Sequence, residues 1–140
     1  MWAQPFGAML DRVPVTCLIV DDSTRFVELA GSLLERDGIE VVGTASSAAE
    51  ALTRTAELRP DVVLVDIDLG GDSGFELARD LASVACSSVI LISSHAEVDF
   101  IDLIDASPAL GFIPKAELSA RGVRDLVGGD GAERARGTAD

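Results

Sequence analysis

From Val15 onward, short runs of almost pure aliphatic residues alternate with longer segments of helical period, and this alternation restricts the fold more than any other feature. Runs that are apolar at every position are buried on both faces, the situation of strands in a parallel sheet whose crossover helices cover both sides. The strand candidates are Val15–Val20, Ile39–Thr44, Val62–Val65, Val89–Ile92 and Leu110–Ile113. The first, third and fourth are almost wholly apolar and read as interior strands. The second carries Glu40 and reads as an edge strand.

Between the strands, Phe26, Leu29, Ala30, Leu33 and Leu34 recur at helical spacing and predict an apolar stripe on a first helix that Gly38 stops. Ser47 followed by Glu50 forms a capping-box pattern for a second helix, which Pro60 ends. A third helix is expected from about Phe75 to Leu81, a fourth around Ala96 to Asp105 before Pro108, and a fifth from about Glu117 to Val127 despite Gly122. The expected class is therefore α/β, a doubly wound parallel sheet of five strands with five helices. Residues 1–14 read as an N-terminal extension, and residues 128–140, glycine-rich and without apolar period, as a disordered tail.

Charge and cysteine content exclude several functions. The 140-residue chain carries 24 acidic and 11 basic residues, a net charge of −13, which opposes direct contact with a nucleic-acid backbone. Its longest charge-free runs fall well short of the roughly 18 apolar residues of a membrane span. Met1 to Leu10 lack the basic start of a secretory signal, so no membrane partner and a cytoplasmic address are expected. Cys17 and Cys86 lack metal-site spacing and read as free, buried thiols.

Ligand crevices of doubly wound sheets lie outside the carboxyl ends of the strands, so the residues that follow each strand matter most. The first strand is followed by Asp21 and Asp22, the third by Asp66 and Asp68, the fourth by Ser93 and Ser94, and the fifth by Lys115. Any one of these, alone, reads as a turn residue, a helix cap or a solvated charge. Together they bring three or four carboxylates into one small volume if the first and third strands are neighbours about 4.8 Å apart. Such a cluster is unfavourable by itself, because each negative charge opposes the next. Mg²⁺ would relieve the repulsion and bridge the acids to a phosphoryl group, whose oxygens Ser93 and Lys115 could bind. A carboxylate attacking phosphorus then gives an acyl phosphate.

The runs CLIVDDSTRFVELAGSLLERDG, RPDVVLVDIDLGGDSGFELAR, SVILISSHAE and GFIPKAEL resemble, in order, the signature regions of response-regulator receiver domains of two-component signalling. The resemblance covers about residues 15 to 127 and implies a flavodoxin-like strand order 2-1-3-4-5. It implies a phosphorylation switch in which a histidine kinase or histidine phosphotransfer protein donates a phosphoryl group to Asp66. It further implies Mg²⁺ bound by Asp21, Asp22 (the more direct ligand of the pair), Asp66 and the Asp68 carbonyl. Ser93 and Lys115 match the family's hydroxyl and lysine, and Phe112 its aromatic switch position, although Phe112 reads equally well as a plain core aromatic. Ser94 matches the small residue beside the hydroxyl, and Gly74 the glycine that lets the loop turn into the third helix.

Gly70, followed by Gly71, stands where many members have proline, four residues after the phosphorylated acid, so this loop is expected to be more mobile than usual. The Asp68 side chain is expected at the mouth of the site, orienting the water that hydrolyses the acyl phosphate. His95, the single histidine, reads as a solvated loop residue. With no output domain legible, the signal is expected to pass to an unknown output protein by contact, whether the chain stands alone or is a piece of a longer regulator. The enzyme alternative is a phosphatase resembling the haloacid dehalogenase superfamily, since Asp66-Ile67-Asp68 matches its DxD motif. The acidic pair precedes that strand instead of following it, and nothing remains for a cap domain. The chain is thus expected to catalyse only its own phosphorylation and dephosphorylation.

Overall fold

A computed structural model describes residues 14–128, and the expected N-terminal extension and tail lie outside the described residues except for Pro14 and Gly128. The strands are β1 (Thr16–Val20), β2 (Glu40–Ala45), β3 (Val62–Asp66), a short β4 (Asp68–Leu69) and β5 (Asp72–Ser73), β6 (Ser88–Ser93) and β7 (Gly111–Pro114). The α-helices are α1 (Thr24–Arg36), α2 (Ala48–Leu58), α3 (Gly74–Val84), α4 (Ile101–Ala106) and α5 (120–128). Five strands form one parallel sheet in the order β2-β1-β3-β6-β7, the expected 2-1-3-4-5 arrangement with β2 at an edge.

Strand periodicity divides the core between the two faces. Val63, Val65, Leu18, Val20, Val89 and Leu91 point to the face covered by Ala51 of α2, Leu77, Ala78 and Leu81 of α3 and Ile104 of α4. Val62, Leu64, Cys17, Ile19, Ile90 and Ile92 point to the other, under Ala30 and Leu34 of α1 and Val123 of α5. Val62 to Val65 of β3 are buried, as their unbroken apolar run requires, and Asp66 is buried with them.

The helix boundaries depart from expectation where local chemistry outweighs periodicity. Ser47 caps α2 by accepting from the Glu50 amide at 3.2 Å, but the Glu50 carboxylate accepts from the Ser46 amide at 2.8 Å, one residue earlier than in a capping box. The expected fourth helix is a 3-10 turn over Glu97–Phe100 followed by only one and a half turns of α-helix, and no side chain caps either piece. The fifth starts later than Glu117, after a 3-10 turn over Lys115–Glu117.

The Gly70-Gly71 segment takes a regular form. It is the tip of a two-stranded antiparallel hairpin, β4 with β5, in which Asp68 faces Ser73 and Leu69 faces Asp72. Gly70 supplies φ +76°, a left-handed conformation that disfavours other side chains. Leu69, buried at 4% exposure, pins the hairpin to the core.

Candidate functional site

Strand order and register bring the expected site residues to one end of the sheet. Val20 of β1 pairs with Val65 of β3, so Asp21 and Asp22 emerge beside Asp66. Asp66 pairs in turn with Ile92 of β6, and Ser93 with Pro114 of β7, which delivers Lys115 to the same edge of the crevice. Asp21, Asp66 and Ser93 are buried, whereas Asp22 and Asp68 are exposed.

One cation is shared between two buried acids. Lys115 Nζ lies 2.6 Å from Asp21 Oδ2 and 3.2 Å from Asp66 Oδ2. The second oxygen of Asp66 accepts from the Asp68 amide at 3.1 Å, and that of Asp21 from the Ser23 amide at 2.9 Å. Both Asp66 oxygens therefore have a donor, one from a side chain and one from the hairpin backbone. Asp21 Oδ2 is different: its contact with Lys115 is close, but no donor is aligned on it as a hydrogen bond.

Desolvation by burial raises the Asp66 carboxyl above the ordinary carboxylate range, and the neighbouring Asp21 charge adds to this, while the Asp68 amide and Lys115 oppose it. On Lys115 burial works against the charge, but the close carboxylates of Asp21 and Asp66 outweigh it and hold the ammonium above its ordinary value. The site thus contains an acid that is costly to ionise and a lysine that remains protonated.

These residues fit a hard divalent cation. Asp21, Asp22 and Asp66 each offer an oxygen within 4.8 Å of the others, two of them from buried carboxylates. An all-oxygen set with few protein ligands is the kind Mg²⁺ accepts, since it keeps several of its waters.

The remaining expected residues take varied positions. Ser93 Oγ accepts from the His95 amide at 2.9 Å and lies 3.4 Å from His95 Nδ1. His95 is exposed, as expected of a loop residue, but its ring also stacks edge-on against Phe100 with centroids 5.9 Å apart. Ser94 is exposed, and Phe112 is half-buried against the α2–α3–α4 core. At Gly74 a Cβ would stand 2.2 Å from the Asp66 carbonyl oxygen and 2.6 Å from Ile67 Cα, so only glycine lets α3 start this close to β3.

Phe26 was visible in the sequence only as part of the α1 stripe, yet its ring lies 4.5 Å beneath Lys115 Nζ, a cation–π contact that backs the ammonium. An aromatic residue in the first turn of the helix after the acidic pair was the available signal. The phosphatase alternative gains nothing from the geometry, because the Asp68 carboxylate is exposed and accepts from the Gly70 amide at 3.2 Å within the hairpin. Of the two cysteines, both free, Cys17 is buried as expected but Cys86 is exposed, because it precedes β6 instead of lying within it. No helix among the described residues is long and apolar enough to cross a membrane.

The comparisons with known proteins agree with this arrangement. A family model described as the response regulator receiver domain matches residues 17–124. A protein-glutamate methylesterase/protein-glutamine glutaminase of Koribacter versatilis is 37% identical over 83 residues, 59% of this chain and 23% of that protein. One from a Nocardioides species is 35% identical over 105 residues, 72% of this chain and 29% of that protein. The chain thus spans less than a third of the length of either relative. Among solved structures, the signal receiver domain of the response regulator NarL from Mycobacterium tuberculosis superposes with a TM-score of 0.75 at 30% identity, covering 83% of this chain and 98% of that one. A LuxR-family two-component response regulator from an Aurantimonas species gives the same TM-score of 0.75 at 26% identity, covering 83% and 86%. The fold, the convergence of acids at the strand ends and the span of the match lead to one conclusion: this chain belongs to the response regulator receiver domain family.

Proposed function

We propose that the chain is a phosphorylation switch in which Asp66 accepts a phosphoryl group from a histidine kinase or histidine phosphotransfer protein. The observation that carries this reading is the environment of Asp66, buried beside Asp21 at the end of the central strand with Lys115 Nζ 3.2 Å from one oxygen. A carboxylate oxygen attacks phosphorus, the bond from phosphorus to the donor breaks, and the donor leaves with the electron pair. Asp21, Asp22, Asp66 and the Asp68 carbonyl would hold Mg²⁺, which when bound offsets the charge of the acids and of the incoming phosphoryl oxygens.

Lys115 would hold a positive charge where negative charge accumulates, and the Ser93 hydroxyl would donate to a phosphoryl oxygen. Movement of Ser93 toward the phosphoryl group would open space for Phe112 to turn inward, altering the surface around α4, β7 and α5 for an output protein. The Asp68 carboxylate, exposed at the mouth, would orient the hydrolytic water, so Asp68→Ala is expected to lengthen the acyl-phosphate lifetime modestly. The reading makes the chain a signalling element of the cytoplasm that catalyses only its own phosphorylation and its reversal.

Incubation with a small phosphodonor and Mg²⁺, followed by intact-mass measurement, tests the proposal. One phosphoryl group per chain is expected on the parent and none on Asp66→Asn. Equal labelling of both would overturn the assignment.

A further inference from the structure

Beyond the groups that face the reacting oxygens, the hairpin that carries Asp68 is fastened at a distance. Asp72 Oδ2 accepts from the Ala48 amide at 3.0 Å, across 24 residues of sequence. Ala48 is the first residue of α2, whose own cap Ser47 satisfies the Glu50 amide, so Asp72 supplies an anionic acceptor to a helix N-terminus that a different segment formed. Asp72 pairs with Leu69 across the hairpin, and Asp68 pairs with Ser73. Through this pairing, the fastening of β5 to α2 fixes β4, and β4 begins with the Asp68 amide that donates to Asp66 Oδ1. The tip is close to the acidic pair as well: a Cβ on Gly70 would stand 3.2 Å from Asp22 Oδ2.

We propose that Asp72 is a positioning residue for the phosphoacceptor site. Its hydrogen bond to the α2 N-terminus sets the β4–β5 hairpin so that the Asp68 amide orients the Asp66 carboxylate and the Asp68 carbonyl faces the cation site. Burial of Leu69 holds the middle of the hairpin, and Asp72 fixes the strand that returns to α3. Two glycines at the tip leave little intrinsic stiffness, so a tether outside the hairpin has more to do here than it would beside a proline. The inference rests on the phosphoacceptor reading for its consequence, but its structural part is independent of it.

The test compares Asp72→Ala with Asp72→Asn, which keeps an acceptor oxygen but no charge. In metal-free protein, hydrogen exchange at the Ala48 and Asp68 amides is followed by NMR, and Mg²⁺ is then titrated alone. Asp72→Ala is expected to speed exchange at both amides and to weaken Mg²⁺ binding, each by about threefold, the scale of one exposed hydrogen bond to a helix terminus. Asp72→Asn is expected to restore most of both. Faster exchange at Ala48 alone, with Asp68 exchange and Mg²⁺ affinity unchanged, would make Asp72 a helix cap and nothing more, and would overturn the proposal. Failure of Asp72→Asn to restore either property would overturn the hydrogen-bonded tether. Retained labelling of Asp66→Asn defeats the phosphoacceptor reading instead, so the two failures are distinguishable.

Discussion

Aspartates lie at both ends of the sheet, and the two ends use them in opposite ways. At the amino end, the Asp61 carboxylate accepts from the Thr16 amide at 2.9 Å and from the Thr16 hydroxyl at 3.1 Å, while its own amide donates to that hydroxyl at 2.9 Å. The Ser88 amide donates to its carbonyl at 3.0 Å, so one residue joins the starts of β1, β3 and β6. At the carboxyl end, Asp21 and Asp66 are buried, share one lysine, and leave Asp21 Oδ2 without an aligned donor. A satisfied carboxylate stabilises the fold it belongs to. A crowded one is held at a cost that a ligand can relieve.

The largest expected contrast separates the two thiols. Cys86 is exposed beside an open groove of about 900 Å³ at the amino end, whereas burial pushes the Cys17 thiol up to about 12. At pH 8 the Cys17 thiolate is then a fraction on the order of 10⁻⁴, and its burial also withholds it from reagent. Alkylation followed by mass should therefore modify Cys86 alone in the folded chain. Equal rates would place Cys17 on a surface.

Volume at the carboxyl end is the next most sensitive feature. Gly74→Ala puts a Cβ into the Asp66 carbonyl and should cost about 3 kcal/mol or more in denaturant unfolding. Gly71→Ala meets nothing within 4 Å and serves as the control.

Charge removal should then have opposite signs at the two ends. Asp61→Ala is expected to destabilise by about 1 kcal/mol, because it strips the Thr16 amide of its acceptor. Asp66→Asn is expected to raise the melting temperature of metal-free protein at neutral pH, by about 2 °C. The Asp66 carboxyl titrates above its unfolded value, so its contribution to stability is full below the unfolded value and is lost as pH rises through the folded one. The advantage of Asp66→Asn should accordingly grow as pH rises through that window and vanish below about pH 4. Destabilisation of the same size by both substitutions would erase the distinction between the ends.

The sequence carried the fold because β1, β3 and β6 are apolar enough to admit one kind of burial, and acids follow β1 and close β3 without an intervening turn. It was less informative where contacts are non-local or weak. Phe26 beneath Lys115 and Asp72 on the α2 N-terminus join segments far apart in sequence. Periodicity also mispredicted the start of the fourth helix, because neither the 3-10 turn nor α4 has a side-chain cap to fix its boundary. Gly70 and Gly71 did not reveal the hairpin, although a left-handed glycine is what a tight hairpin tip requires.

The most direct test of the account identifies the residue that carries the phosphoryl group. After reaction with a small phosphodonor and Mg²⁺, borohydride reduces an acyl phosphate to an alcohol, and peptide mapping locates the changed side chain. The account predicts the change at Asp66 alone; a change at Asp21, Asp22 or Asp68, with Asp66 intact, would contradict it.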